Sequence, residues 1–255
     1  MMYYEQDYLV RSYECDTRDC VKLSTLVNYM QDMAGFASSA VGLGYQELFA
    51  MNLAWILYKW KIRIYQYPKV GSIVRVRTWS SHIDKLYAHR CFSLLDADGN
   101  VIGEAFSVWV LLDFENRCVA RIPQEIMEAY PSTEETVSFA DEFTNNPIPS
   151  AGSLLSQRNF TIPRHDLDSN LHLNNVKYID YLLSSVPQDL WDNKQVYDLE
   201  VTYKKECRLG DTVTCLCFDS IREETKEGTT VIALIKPIDE ENNRRAHTVF
   251  QLKFK

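Results

Sequence analysis

No apolar run in this sequence is long enough to cross a bilayer. The longest, from Phe106 to Leu112, is broken by Ser107, whereas a spanning helix takes about 20 apolar residues. We therefore expect no stable membrane insertion. The N-terminus, MMYYEQDYLV, has no basic segment followed by an apolar core and is not Arg- and Ser-rich. We therefore expect neither a secretory signal nor a transit peptide, and by default a cytoplasmic location. Nine Gly and eight Pro in 255 residues are too few for a linker-rich chain. There is no excess of positive charge: 27 basic against 35 acidic residues give −8. This disfavours nucleic acid as the main partner, because phosphates need Lys and Arg to neutralise them. There is no C-x-x-C. The seven Cys, at 15, 20, 91, 118, 207, 215 and 217, are odd in number. They are best read as reduced thiols, and their spacing fits no tetrahedral zinc site. We expect neither metal nor cofactor.

What is present is the balance of a soluble globular protein, 46% hydrophobic and 24% charged, in a length suited to two domains. Strand-like segments come in two blocks. The first comprises Leu53 to Tyr67, Ser72 to Ser81, Leu86 to Asp96 and Val101 to Phe114. The second comprises Val196 to Cys207, Thr212 to Ile221, Thr229 to Lys236 and Arg245 to Phe254. Val, Ile, Tyr, Trp and Phe dominate these runs, and short turns such as Asp98-Gly99-Asn100 separate them. A helical stripe precedes each block: Leu23, Leu26, Val27, Met30 and Ala34 in the first, Leu173, Val176, Ile179 and Leu183 in the second, the latter limited by Pro187. A shorter helix is expected over Tyr45 to Met51.

The blocks look like copies. Pairing Tyr29 with Tyr178, an offset of 149 (178 − 29), sets Asp19 on Asp168, Val21 on Asn170 and Leu23 on His172. Gly71 falls on Gly210, and Ser107-Val108-Trp109 on Thr248-Val249-Phe250. Three stretches in one order predict an α+β protein made of two tandem units, each an antiparallel sheet wrapped around a long helix. We place the first unit at 1–130, a Pro-, Ser- and Asn-rich linker at 131–156, and the second unit at 157–255.

The chemistry concentrates in the second copy. His165 to Asn175 is the densest polar cluster, and its Asp, Ser and Asn are ordinary helix caps. His172 is not a capping residue. At a helix entry its imidazole would tend to stay neutral, fit to orient a water or carry a proton. Tyr203-Lys204-Lys205-Glu206-Cys207-Arg208 ends a predicted strand, and alternation sends Glu206 and Cys207 to opposite faces.

With these residues the sequence resembles a family. D-x-N-x-H-x-N-N-x-x-Y (Asp168, Asn170, His172, Asn174, Asn175, Tyr178), followed by Y-K-K-E-C (Tyr203 to Cys207), is similar to the acyl-[acyl carrier protein] thioesterases. The resemblance spans essentially the whole chain. It implies a double hot-dog fold and hydrolysis of the thioester on the carrier's phosphopantetheine arm, which releases free fatty acid and ends fatty acid synthesis. It also implies a catalytically empty first unit that houses the acyl chain. Carried over residue by residue, it implies that Asp168 holds the loop, Asn170 orients the substrate or oxyanion, and His172 with Glu206 activates water. A nucleophilic Cys207 with His172 and Asn170 is the alternative.

Two surfaces follow from these expectations. Met30, Met33, Phe36, Val41, Leu53, Trp55 and Leu57 are candidates for an acyl tunnel, with plain core as the commoner fate of any one. Carrier proteins are acidic, so a chain of charge −8 needs a local basic patch. Lys59, Lys61 and Arg63 alternate on one strand, Arg75 and Arg77 on the next, and Lys204 and Arg208 flank the site. An acyl-coenzyme A thioesterase, a non-catalytic acyl-binding or regulatory protein and a hydratase are the competing readings. Either a monomer or a homodimer is compatible with two fused units.

Overall fold

A computed structural model describes residues 3–140, 142–143, 153–219, 229–241 and 245–255. The chain divides into two compact units, Met1–Asp141 and Glu142–Lys255. In the first unit β1 (Tyr4–Leu9) precedes α1 (Leu23–Ala40), α2 (Tyr45–Ala50), β2 (Leu53–Ile64), β3 (Ile73–Ile83), β4 (Ala88–Leu95), β5 (Val101–Asp113), β6 (Cys118–Ala120) and α3 (Gln124–Ala129). Its antiparallel sheet runs β1-β3-β4-β5-β2, with β6 on β5. In the second unit β7 (Leu154–Thr161) is followed by α4 (Asn175–Ser185), α5 (Gln188–Asn193), β8 (Val196–Tyr203), β9 (Thr212–Asp219), β10 (Thr229–Pro237) and β11 (Thr248–Phe254). Here the antiparallel order is β7-β9-β10-β11-β8, the same topology.

Each long helix lies on its sheet because its apolar stripe can be buried nowhere else. In α1 Leu26, Val27, Met30, Met33 and Ala37 are fully buried, and the helix packs on β1 and β3. In α4 Val176, Ile179 and Leu182 are buried, and the helix packs on β7, β9 and β10. Gly71 and Gly210 hold φ of 80° and 81° in the turns before β3 and β9, a left-handed backbone that favours glycine.

Several expectations need correction. β1 and β7 were not anticipated: both are outermost strands, and most of their side chains are exposed. The linker assigned to 131–156 begins too early and ends too late. Val137 and Phe139 are buried, Trp79 Nε1 donates to the Glu135 carbonyl at 2.8 Å, and Leu154–Ser156 already belong to β7. Residues 141 and 144–152 of that stretch, and Ser220 and Ile221 at the end of the expected strand Thr212 to Ile221, lie outside the described residues. Among the tunnel candidates, Met30, Met33 and Leu57 are buried, but Phe36 is half-exposed. Val41, Leu53 and Trp55 pack against Leu48, Leu111, Ile126 and Tyr130.

The register of the duplication also shifts. The Tyr29 hydroxyl donates to the Glu14 carboxylate at 2.8 Å, and the Tyr181 hydroxyl to Asp166 at 2.7 Å. Tyr8 stacks on Tyr29 as Phe160 stacks on Tyr181. The offset is therefore 152 (181 − 29), so Tyr29 matches Tyr181 rather than Tyr178. Three residues is close to one helical turn, so the apolar stripe matches almost as well when slid by that amount. The Gly71–Gly210 match holds: their N–H groups reach the carbonyls of Val10 and Ile162 at 2.9 and 3.0 Å. In the last stretch the Ile102 carbonyl accepts from Tyr65 and Gln66 as the His247 carbonyl accepts from Lys204 and Lys205. That offset is 145 (247 − 102), so Ser107 does not match Thr248.

Candidate active site

The loop before α4 is closed by Asp168. Its Oδ1 accepts the N–H groups of Asn170 and His172 at 2.8 and 3.1 Å. Its own N–H donates to the His172 carbonyl at 2.8 Å. A turn this tight puts Leu171 at φ 62°, which costs a non-glycine residue on the order of 1–2 kcal/mol. The helix starts later than the sequence suggests. Asn174 is the cap, its side chain accepting from the Val176 N–H at 2.9 Å. Leu173 and His172 therefore stand ahead of α4, and the 168–170 residues build the loop rather than cap the helix.

That loop is pinned to the segment after β8. The Leu173 N–H donates to the Cys207 carbonyl at 2.8 Å, and His172 bridges to Arg208 through the backbone. The two side chains then meet, with His172 Nε2 3.1 Å from Glu206 Oε2. The other carboxylate oxygen takes Arg208 Nη2 at 2.8 Å. The His172 and Glu206 side chains are 30% and 47% exposed. Glu206 borders a cleft of roughly 450 Å³ that Lys205, Arg208, Asp211 and His247 also line. Asn170 stands exposed at the loop tip.

Cys207 is buried, and its Sγ lies 3.1 Å from Nδ1 of His247. Its N–H donates to the Tyr178 hydroxyl at 2.9 Å. Burial pushes its thiol up to about 11. Burial also lowers His247, helped by the nearby Lys205 charge, so the histidine that the thiol meets favours its neutral form. His247 carries no signal in the sequence, because Ala246-His247-Thr248-Val249-Phe250 reads as an ordinary core strand.

The first unit repeats the loop without the chemistry. Asp16 Oδ1 accepts from the N–H groups of Arg18 and Cys20 at 2.9 and 3.3 Å, and Asp19 has φ 56°. The counterpart of Asp168 is thus Asp16, not Asp19. Arg18 and Cys20 stand for Asn170 and His172, not Val21 and Leu23. Val21 N–H on the Pro68 carbonyl at 2.9 Å matches Leu173 on Cys207, which sets Tyr67 at the place of Glu206. We expect Asp168→Ala to leave melting almost unchanged yet lower turnover about tenfold or more, because two loop N–H groups lose their acceptor. Asp16→Ala should leave turnover unchanged. Equal effects in the two variants would show that the Asp168 loop has no special role.

The basic stripe on β2 does not form an open face. Lys61 is 1% exposed, and Lys59 and Arg63 are half-buried, with the Arg63 guanidinium 4.4 Å over the Phe139 ring. A register shift between Leu57 and Lys59 breaks the simple alternation. Arg75 pairs with Asp7 across β1 and β3 at 2.7 Å, and Arg77 with Glu5. Of the basic candidates, Arg75, Lys204 and Arg208 are exposed, with Arg75 paired to Asp7 and Arg208 to Glu206. Among the described residues no group of three or more His, Cys, Asp or Glu is placed to hold a metal. No helix there is long and apolar enough to cross a membrane.

Two tandem units of one topology, with the His172–Glu206 pair in the second and Cys20 and Tyr67 at the matching places of the first, define a double hot-dog protein whose candidate site lies in the second unit. The chain belongs to the acyl-ACP thioesterase family. The N-terminal domain of that family matches residues 1–130 and the C-terminal domain residues 153–252. It is 30% identical over 228 residues to an oleoyl-acyl carrier protein thioesterase 2 of Arabidopsis thaliana, covering 84% of this chain and 62% of that protein. To an oleoyl-acyl carrier protein thioesterase of Coriandrum sativum it is 27% identical, covering 87% and 64%. The chain thus spans under two thirds of the length of these curated relatives. Two solved structures share the fold. An acyl-ACP thioesterase from Bacteroides thetaiotaomicron has a TM-score of 0.85 at 22% identity, covering 99% and 98% of the two chains. A 12:0-ACP thioesterase from Umbellularia californica has 0.86 at 20% identity, covering 99% and 94%.

Proposed function

We propose that the chain hydrolyses the thioester of acyl-[acyl carrier protein] at the His172–Glu206 pair and releases free fatty acid. The 3.1 Å contact between these side chains at the edge of an open cleft carries the reading. With Nε2 of His172 set 3.1 Å from the Glu206 carboxylate, Nδ1 is left to accept a proton from water. The water oxygen attacks the carbonyl carbon, the carbon–sulfur bond breaks, and the proton passes to the departing thiolate. Asn170 donates to the developing oxyanion, and Asp168 holds both residues in place through their N–H groups. Cys207, buried and with its thiol held protonated, is a poor nucleophile. We assign the acyl chain to the first unit, whose loop carries Cys20 and Tyr67 where the second carries His172 and Glu206. The seven cysteines are thiols rather than disulfides, which suits a reducing compartment, and we place the protein in the cytoplasm on that ground.

The test is release of free fatty acid from a panel of acyl groups on the carrier protein and on coenzyme A. Faster turnover on the carrier supports the proposal. Equal or faster turnover on coenzyme A would make it an acyl-coenzyme A thioesterase, and no release would leave a binding protein. In the same assay Lys204→Glu should raise KM for carrier-linked substrate several-fold and leave a small soluble thioester unaffected. An equal effect on both removes the docking role of Lys204.

A further inference from the structure

Glu206 faces His172, while its neighbour Cys207 turns into a buried polar group that the proposed reaction leaves unused. Tyr178, Cys207 and His247 are 2%, 0% and 5% exposed. The Tyr178 hydroxyl takes the Cys207 N–H, and His247 meets the thiol through Nδ1. The His247 carbonyl also takes the N–H groups of Lys204 and Lys205 at 2.8 and 3.1 Å. The stretch carrying Glu206 is therefore held on both sides. Burying such groups is unfavourable unless each has a partner, so their presence needs a reason.

The first unit is the control. Its backbone makes the same bonds, from Tyr65 and Gln66 to the Ile102 carbonyl at 2.9 and 3.1 Å and from Val21 to Pro68. At the offsets established above, Tyr178, Cys207 and His247 correspond to Leu26, Pro68 and Ile102. All three are apolar, and Leu26 and Ile102 are buried. The frame thus forms without the polar group. The polar group stands only in the unit that has the His172–Glu206 pair.

We propose that Tyr178 and His247, acting through Cys207, are positioning residues that aim Glu206 at His172. A backbone rotation that swung Glu206 away would also pull the Cys207 N–H off the Tyr178 hydroxyl and the thiol off His247. In a buried site neither group would find water in exchange. This rests on His172–Glu206 being the water-activating pair.

The test follows the ¹⁵N signals of the imidazoles in the intact protein, with His172 identified by loss of its signal in His172→Ala. Three variants are compared with the parent: Glu206→Gln, Tyr178→Phe, and His247→Ile, which copies Ile102. We expect Glu206→Gln to displace the His172 signal and both other variants to displace it the same way. We expect kcat on acyl-carrier substrate to fall about tenfold or more in Tyr178→Phe and His247→Ile, with KM little changed. These losses should vanish when either change is added to Glu206→Gln, as for groups acting through one residue. A His172 signal that moves with Glu206→Gln but not with Tyr178→Phe or His247→Ile overturns the positioning role alone. A signal indifferent to Glu206→Gln overturns the His172–Glu206 pairing, and the proposed reaction with it.

Discussion

Replacing His172 by Ala is expected to lower turnover on acyl-carrier substrate by about a hundredfold or more, the usual scale for a lost acid–base group. His172 sits in a loop whose backbone is already closed by Asp168 and pinned by Leu173 to Cys207. Its side chain is 30% exposed, so truncation leaves no large buried cavity and melting should barely change. KM should change far less than kcat, because the imidazole acts on the attacking water rather than on the acyl chain. The check is steady-state kinetics beside a melting curve on the same preparation. Near-normal turnover in a folded variant would sink the site assignment.

The second large effect separates Glu206 from Cys207. Glu206→Gln keeps the size of the side chain and an oxygen for Arg208 but removes the carboxylate facing His172. We expect a loss of roughly a hundred- to ten-thousandfold in kcat. Cys207→Ala should cost much less. A thiol pushed up to about 11 is ionised in only about one molecule in ten thousand at neutral pH, and the thiolate is the nucleophile. The small loss expected in Cys207→Ala is a packing and positioning loss, through His247. Rapid quenching of the parent during turnover should trap no acyl group on Cys207. An acyl adduct there, with turnover abolished in Cys207→Ala, would replace the water mechanism by a nucleophilic one.

The fold was legible where burial imposes a period. Helices α1 and α4 and the four long strands of each unit follow from apolar residues recurring at three to four or at two positions. The loop was legible as a polar cluster, but its mechanics were not. Whether Asp168 caps a helix or closes a turn depends on where Asn174 places the first helical residue, and several Asn and Asp in a row all have cap chemistry. The identity of the matching Asp in the first unit was lost because Asp16 and Asp19 differ by nearly one turn. His247 was not legible because it is distant in sequence, 40 residues from Cys207, and only the β8–β11 pairing brings the two together. Lys61 was misread because a charged residue on an alternating strand normally marks the wet face, and here that position is buried.

The strands that escaped notice, β1 and β7, are the two rims of their sheets. Both spend most of their positions on polar or exposed side chains, and on β1 the carboxylates of Glu5 and Asp7 are engaged by Arg77 and Arg75 of β3. A rim strand presents unpaired backbone donors and acceptors, and a flat apolar rim templates growth onto a second molecule. Charges on the rim make such stacking unfavourable in any copy that approaches side by side. The lack of hydrophobic rhythm that hid these segments is thus also what disfavours edge-to-edge pairing between two copies of the chain.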